Sequence, residues 1–295
     1  MSATDQPATS PSTEPTASEV VLSAEGIVVD YPGHPVVRAV DGVSLEVHAG
    51  EVVGLVGESG CGKSTMAKVL TGLLRPVSGT VTYQGQTLRP LGVIGRGTTG
   101  IQMVFQDPGS SLNPRRRVGA QIEDGIAAAR ERGIPQETSR PTTAGGWLQL
   151  VGMDASDAYR YPHSFSGGQR QRVAAARALA AAPDVLIGDE PISSLDASTQ
   201  ALVAYVMSSL TVAQGAGMLF ISHDLSVVRL IADQLLVMYK GRIVERGPAD
   251  QVWADPRHPY TQALLAAIPQ PDGAGHLPGV TPPGTQYPLD EAIRD

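Results

Sequence analysis

Nine contiguous residues, Gly57-Glu58-Ser59-Gly60-Cys61-Gly62-Lys63-Ser64-Thr65, combine the residue types that hold a chain of phosphates. They match the P-loop pattern G-x-x-x-x-G-K-[ST]. Glycines let a backbone wrap closely around an anion. The N–H groups of the loop and the N-terminus of the helix behind it then supply fixed positive potential. Lys63 would reach the β- and γ-phosphates, and Ser64 would hold Mg2+. A Gly-rich turn with an exposed lysine is the bland alternative. The flanks argue against it. Val52-Val53-Gly54-Leu55-Val56 reads as a buried strand and Met66-Ala67-Lys68-Val69-Leu70 as a helix, so the glycines sit on a strand-to-helix turn.

Two further clusters carry polar groups suited to the same chemistry. Val185-Leu186-Ile187-Gly188 is an apolar run ending in Asp189-Glu190. Neighbouring side chains on a strand point in opposite directions, so one carboxylate can face Mg2+ and the other an attacking water. Asp189 is the metal-side candidate and Glu190 the general base; the plain alternative is a pair capping the turn at Pro191. Ser166-Gly167-Gly168-Gln169 opens an alanine-rich helix, with Ser166 a good N-cap. A serine hydroxyl and glycine N–H groups at a helix N-terminus form a second anion cradle. One nucleotide does not need two cradles on one chain, so the second would serve a nucleotide held by another subunit. A capped helix with a glycine hinge is the competing reading.

Taken in this order, the P-loop, the Ser166-Gly167-Gly168-Gln169 signature and the Asp189-Glu190 pair resemble the ATP-binding subunit of an ABC transporter. The resemblance runs from about Val20 to Gln270. It implies a P-loop NTPase (RecA-like) core with a mainly parallel sheet, an antiparallel β subdomain and an inserted helical subdomain carrying the signature. It also implies roles for further residues. Gln106 matches the Q-loop glutamine, a ligand of Mg2+ and part of the catalytic set with Glu190 and His223, the switch histidine. Ser194-Leu195-Asp196 matches the D-loop, and Tyr31 the aromatic that stacks on adenine. The mechanism implied is hydrolysis of Mg2+-bound ATP between two cassettes docked head to tail. Phe165 stands where the family usually has leucine, and it keeps an apolar side chain there.

Two stretches narrow the resemblance. Asp107-Pro108-Gly109-Ser110-Ser111-Leu112-Asn113-Pro114-Arg115, and above all His258-Pro259-Tyr260-Thr261-Gln262-Ala263-Leu264-Leu265-Ala266-Ala267-Ile268-Pro269, are similar to the oligopeptide/dipeptide/nickel importer group. Partners implied are a second ATPase subunit of a different chain, two transmembrane permease subunits and an extracytoplasmic solute-binding protein. The chain would then work at the cytoplasmic face of a membrane. An exporter motor uses the same ATP chemistry. A non-transport ABC ATPase would call for two cassettes, a coiled-coil insertion or basic surfaces, and the sequence has none. Some members of the importer group carry an iron–sulfur cluster after this block. The single cysteine, Cys61, cannot build one. Its place beside Lys63 and a helix N-terminus makes it a candidate reactive thiol. His258 and Tyr260 read as packing residues of the extension.

These motifs need a scaffold, and the rest of the chain describes one. Hydrophobic residues make up 42% of 295, enough for a packed core. The net charge of −7, with Arg115-Arg116-Arg117 the one short basic run, does not suit nucleic acid. No apolar stretch approaches the ~20 residues of a membrane span, and Met1 onward lacks the pattern of a signal peptide. Residues 1–19 read as a disordered tail, 20–255 as the ATPase domain with its helical subdomain at about 107–182, and 256–295 as a C-terminal extension. Strands are expected at 36–40, 43–47, 185–187, 218–221 and 234–238, and helices at 121–132, 147–151, 199–214 and 225–232. Residues 133–146 read as loose, and 289–294 as a short helix or none. Such alternation of strands and helices indicates an α/β fold with a parallel sheet.

Overall fold

The computed structural model describes residues 19–89, 100–135, 140–268 and 285–291. The chain begins with β1 (Val20–Tyr31), β2 (Val37–His48), β3 (Val52–Val56), α1 (Lys63–Leu70), β4 (Ser78–Tyr83), β5 (Gln86–Thr87) and β6 (Ile101–Val104). A helical stretch follows: α2 (Pro108–Ser111), α3 (Val118–Glu131), α4 (Ala144–Leu150) and α5 (Gly167–Ala180). Strands and helices then alternate through β7 (Val185–Asp189), α6 (Ala197–Ala213), β8 (Gly217–Ser222), α7 (Leu225–Ile231) and β9 (Gln234–Tyr239). The chain closes with β10 (Arg242–Pro248), α8 (Ala249–Ala254) and α9 (Pro259–Ala266).

Six strands form one sheet in the order β10-β9-β3-β8-β7-β6. All are parallel except β10, which returns beside β9 as an antiparallel edge. The runs in β3, β7 and β8 are buried from end to end, as strands covered on both faces must be. Alternation then divides each strand between two cores. Val52, Val56, Leu186, Met218 and Phe220 face the helical side with α3, α5 and α6. Val53, Leu55, Ile187, Leu219 and Ile221 face α1 and a second sheet. That second sheet is antiparallel, in the order β2-β1-β4-β5. The helices α2 to α5 are inserted between β6 and β7, neighbouring strands of the main sheet.

Several expectations change at element boundaries. The two strands read at 36–40 and 43–47 are one strand, β2, which passes through Gly42 at φ +72°. Val36 lies outside it. α3 starts at Val118, three residues early, and α4 starts at Ala144, where Thr143 caps it by accepting from Gly146 N–H. The stretch read as loose therefore ends in a helix. α6 begins at Ala197 because Asp196 is its N-cap. Residues 289–291 are not helical, and 292–295 lie outside the described residues, as do 1–18 of the expected tail. Among the described residues no helix is long and apolar enough to cross a membrane.

Candidate functional site

Parallel strands deliver their C-terminal ends to one edge of a sheet, where α/β folds bind ligands. Here β3 leads into the P-loop, β6 into Gln106, β7 into Asp189-Glu190 and β8 into His223. Pairing of β3 with β8, and of β8 with β7, sets Val56 opposite Ser222 and Asp189 opposite Ile221. Residues far apart in sequence thus meet through strand register.

The P-loop fits against its surroundings so closely that two positions require glycine. Gly57 and Gly62 have φ of +152° and +114°. A Cβ on Gly57 would lie 2.1 Å from Met238 O, and one on Gly62 2.2 Å from Ala39 O. Lys63, only 4% exposed, turns its ammonium onto the loop, donating to Gly57 O at 2.6 Å and Glu58 O at 2.8 Å. Ser64 Oγ donates to Asp189 Oδ1 at 2.8 Å. Burial pushes the Asp189 carboxyl above its ordinary value, and Glu190 adds to the rise, while the Ser64 hydrogen bond and the two nearby lysines oppose it. A desolvated carboxylate beside a hydroxyl is a pair of hard oxygens of the kind Mg2+ takes, with phosphates and water completing its shell. Cys61 departs from the expectation of reactivity. It is buried, and burial pushes its thiol up against the opposing pull of Lys63.

Glu190 is aimed by a turn and not by simple strand alternation. β7 ends at Asp189, and Glu190 takes φ +48°, with its N–H donating to Ile221 O at 3.0 Å. Such a conformation costs a residue with a Cβ about 1–2 kcal/mol and persists where neighbours hold it. The neighbours are the other two candidate catalytic residues. Gln106 Nε2 donates to Glu190 Oε2 at 3.1 Å, and His223 Nδ1 lies 3.2 Å from the same oxygen. His223 sits just before α7; Asp224 is the cap, accepting from Ser226 N–H. Tyr31, at the end of β1, is 37% exposed, and its hydroxyl lies 3.4 Å from Thr65 Oγ1. A partly exposed tyrosine therefore stands beside the P-loop helix.

The signature is built differently. Ser166 Oγ accepts from Gln169 N–H at 3.2 Å, and Gln169 Oε1 accepts from Ser166 N–H at 3.0 Å, a reciprocal capping box on α5. Gly168 abuts the D-loop: a Cβ there would lie 2.7 Å from Leu195 Cδ2. Asp196 accepts from Ser198, from Thr199 N–H and from the Thr199 hydroxyl, and these bonds hold its carboxyl down at about 2. The structure therefore joins Gln106, Asp189, Glu190 and His223 to the P-loop, and groups Ser166 to Gln169 with Ser194 to Asp196.

A residue outside the motif reading bridges the two groups. Gln171, 1% exposed, accepts from Ser194 N–H at 3.2 Å and from its hydroxyl at 2.6 Å. Its amide donates to Gln106 O at 3.3 Å. The available signal was periodicity: Gln171 lies on the helix stripe of Ala174, Ala175 and Ala178, all buried.

Comparison with known proteins agrees with this geometry. A family model described as ABC transporter matches residues 40–193, and one described as oligopeptide/dipeptide transporter, C-terminal region, matches residues 244–293. The dipeptide transport ATP-binding protein DppF of Escherichia coli (strain K12) is 42% identical over 93% of this chain and 87% of its own length. The oligopeptide transport ATP-binding protein OppF of Bacillus subtilis (strain 168) is 45% identical over 80% of this chain and 78% of its own. A solved ATP-binding cassette, a dimer in a post-hydrolysis state bound to ADP and Pi, shares the fold with a TM-score of 0.65, at 24% identity, over 77% of this chain and 98% of that one. The chain belongs to the ABC transporter family as one of its ATP-binding cassettes, and it is an ATPase of that family.

Proposed function

We propose that this chain is the ATP-hydrolysing motor of an importer for peptides or similar small solutes. It works at the cytoplasmic face of a membrane on two permease subunits, beside a second ATPase subunit of a different chain, and is fed by an extracytoplasmic solute-binding protein. The observation that carries this reading is a single chain holding both the cassette and a peptide-transporter C-terminal region, packed together as α9 against β9 through Tyr260 and Tyr239, with ring centroids 4.4 Å apart.

The residues have the following work. Adenine stacks on Tyr31. Lys63 turns its ammonium from Gly57 O and Glu58 O toward the β- and γ-phosphates. Ser64 and Asp189, with Gln106, would hold Mg2+, which would supply positive charge to offset that of the phosphates. The partner cassette presents its own signature, equivalent to Ser166 to Gln169 here, to the γ-phosphate. Closure then excludes water from the site. Glu190 accepts a proton from the attacking water as its oxygen bonds to the γ-phosphorus and the bond to the β-phosphate oxygen breaks. His223 orients Glu190 and meets the γ-phosphate. Gln106 leads into α2 and the helical insertion, so a change at the nucleotide reaches the surface that faces the permeases. Phosphoryl transfer asks for positioning and charge stabilisation above all, and this arrangement offers both.

The test is the ATPase rate of the reconstituted transporter in nanodiscs, with and without binding protein loaded with a peptide. Stimulation by the loaded binding protein is expected, since it must favour the closed nucleotide dimer to have any effect. Stimulation instead by a hydrophobic compound from the cytoplasmic side would replace import with export.

A further inference from the structure

Tyr260 reads from the sequence as a packing residue of the C-terminal extension, and most of its ring does pack. It is 1% exposed and lies in a cluster with Tyr239 and Tyr287. Its hydroxyl has other work. It accepts from Glu58 N–H at 2.9 Å, a bond spanning 202 residues between the extension and the P-loop. The peptide group that makes this bond is the one whose carbonyl, Gly57 O, accepts from Lys63 at 2.6 Å. One peptide plane is therefore clamped from both sides, by the ammonium on its oxygen and by the tyrosine on its N–H.

The tyrosine is itself held from behind. Glu245, with no exposed surface, accepts from Arg257 N–H at 2.9 Å and His258 N–H at 3.0 Å. His258 Nδ1 accepts from Tyr260 N–H at 3.1 Å, which leaves Nε2 to donate to Pro288 O at 3.2 Å. The histidine thus caps α9 and ties it to the 285–291 segment. Burial pushes the phenol well above its ordinary value, so the hydroxyl that accepts from Glu58 N–H is neutral.

From this geometry we infer that Tyr260 is a positioning residue through which the docked C-terminal extension holds the first turn of the P-loop for nucleotide binding. The inference rests on the P-loop reading proposed above. In the arrangement described, the Gly57–Glu58 peptide has two anchors, Lys63 and Tyr260. When ATP enters, Lys63 gives its ammonium to the phosphates, and Tyr260 remains. The tyrosine hydrogen bond therefore matters more in the bound state than in the free state, and only such a difference can change affinity. Extension and cassette are linked through it: whatever loosens α9 weakens ATP binding, and bound ATP tightens α9.

Tyr260→Phe removes the one oxygen and keeps the ring. In the reconstituted transporter we expect KM for ATP to rise roughly three- to tenfold, the loss of about one hydrogen bond, with the effect on KM and not on kcat. Titration of the full-length chain with ATP should show the same loss. Hydrogen exchange of the Glu58 amide in the ATP-bound variant should quicken. Lys63→Ala, measured beside it, separates the two readings. If Lys63→Ala loses ATP binding while Tyr260→Phe keeps wild-type KM and affinity, the positioning role is overturned and the P-loop reading stands. A lower melting temperature of Tyr260→Phe with unchanged affinity would likewise reduce the tyrosine to packing. If Lys63→Ala binds ATP normally, the P-loop reading itself fails.

Discussion

The two helix N-termini proposed above as anion cradles, those of α1 and α5, are finished to different degrees. At the P-loop, α1 is preceded by glycines pressed against Met238 O and Ala39 O, and its lysine is buried on the loop's own carbonyls. That cradle is closely packed on its own chain, and the carboxylate that meets it, Asp189, comes from the same chain. At the signature, α5 starts at the surface, and its serine and glutamine satisfy each other in a capping box. Its close neighbour is the D-loop. The difference teaches that a helix N-terminus with glycines is a general anion site, whereas a nucleotide site needs the converging groups of several strand ends. On the function proposed above, the first cradle is a site within this chain and the second is half of one, to be completed by a partner's nucleotide.

Variants at the two cradles should therefore separate. The largest effect belongs to Glu190→Gln, whose amide cannot take a proton. Turnover should fall by about 10²–10⁴-fold, the range of general-base catalysis, with ATP still bound and a closed dimer trapped; ATPase assays with size-exclusion chromatography check both. Lys63→Ala should act on binding itself, weakening ATP affinity about ten- to a hundredfold, as expected for a charge-assisted contact. Unchanged affinity in a titration would remove the distinction between the cradles at its root.

These two positions were legible in the sequence because each motif is contiguous and sits on a recognisable strand-to-helix turn. Residues 52–70 and 185–190 carry apolar runs whose ends announce the site, but β3 and β8 are apolar from end to end, so which of their residues faces which core is not visible in the sequence. What escaped was long-range or conformational. No spacing tells that Glu58 N–H meets a hydroxyl 202 residues away, because hydrogen bonds across a fold leave no period. The +48° turn at Glu190 comes with a backbone bond to Ile221 O and a side chain that meets Gln106 and His223, none of them local to it. β2 reads as two strands because Gly42 interrupts its β-branched run, although the backbone continues through it.

The bridge between the cradles sharpens the comparison. Gln171→Ala removes the buried amide that meets Ser194 and Gln106 O, both on exposed residues, and hydrogen bonds of this kind contribute about 0.5–1.5 kcal/mol each. Thermal unfolding should report a loss of this size. ATP affinity of the isolated chain should stay nearer wild type than stimulated ATPase does, since Gln171 touches the Q-loop and D-loop backbones and not the P-loop.

The smallest effect concerns pH. Asp189 has a raised carboxyl value in the folded chain because of burial. The folded state therefore binds the proton more readily than the unfolded one. The contribution of Asp189 to the stability of the nucleotide-free chain should be fully present below the ordinary carboxylate value and be lost as pH rises through its raised value, whereas Asp196, held low, contributes in the opposite sense. Asp189→Asn should flatten that slope; an identical slope in denaturant titrations would place the dependence on other groups.

The claim that one cradle serves its own chain and the other a partner is tested most directly at Gly167. A Cβ there would meet nothing nearer than Ser194 Oγ at 3.8 Å, so a side chain fits, unlike at Gly168. Aspartate in the first turn of a helix also favours that helix, while placing negative charge where the partner's γ-phosphate would dock. The measurement is ATP affinity of isolated Gly167→Asp chain beside ATPase of the assembled transporter carrying it. The account predicts wild-type affinity in the isolated chain and loss of hydrolysis at the site facing the altered signature. Loss of affinity in the isolated chain as severe as that of Lys63→Ala, or full hydrolysis in the assembly, would contradict it.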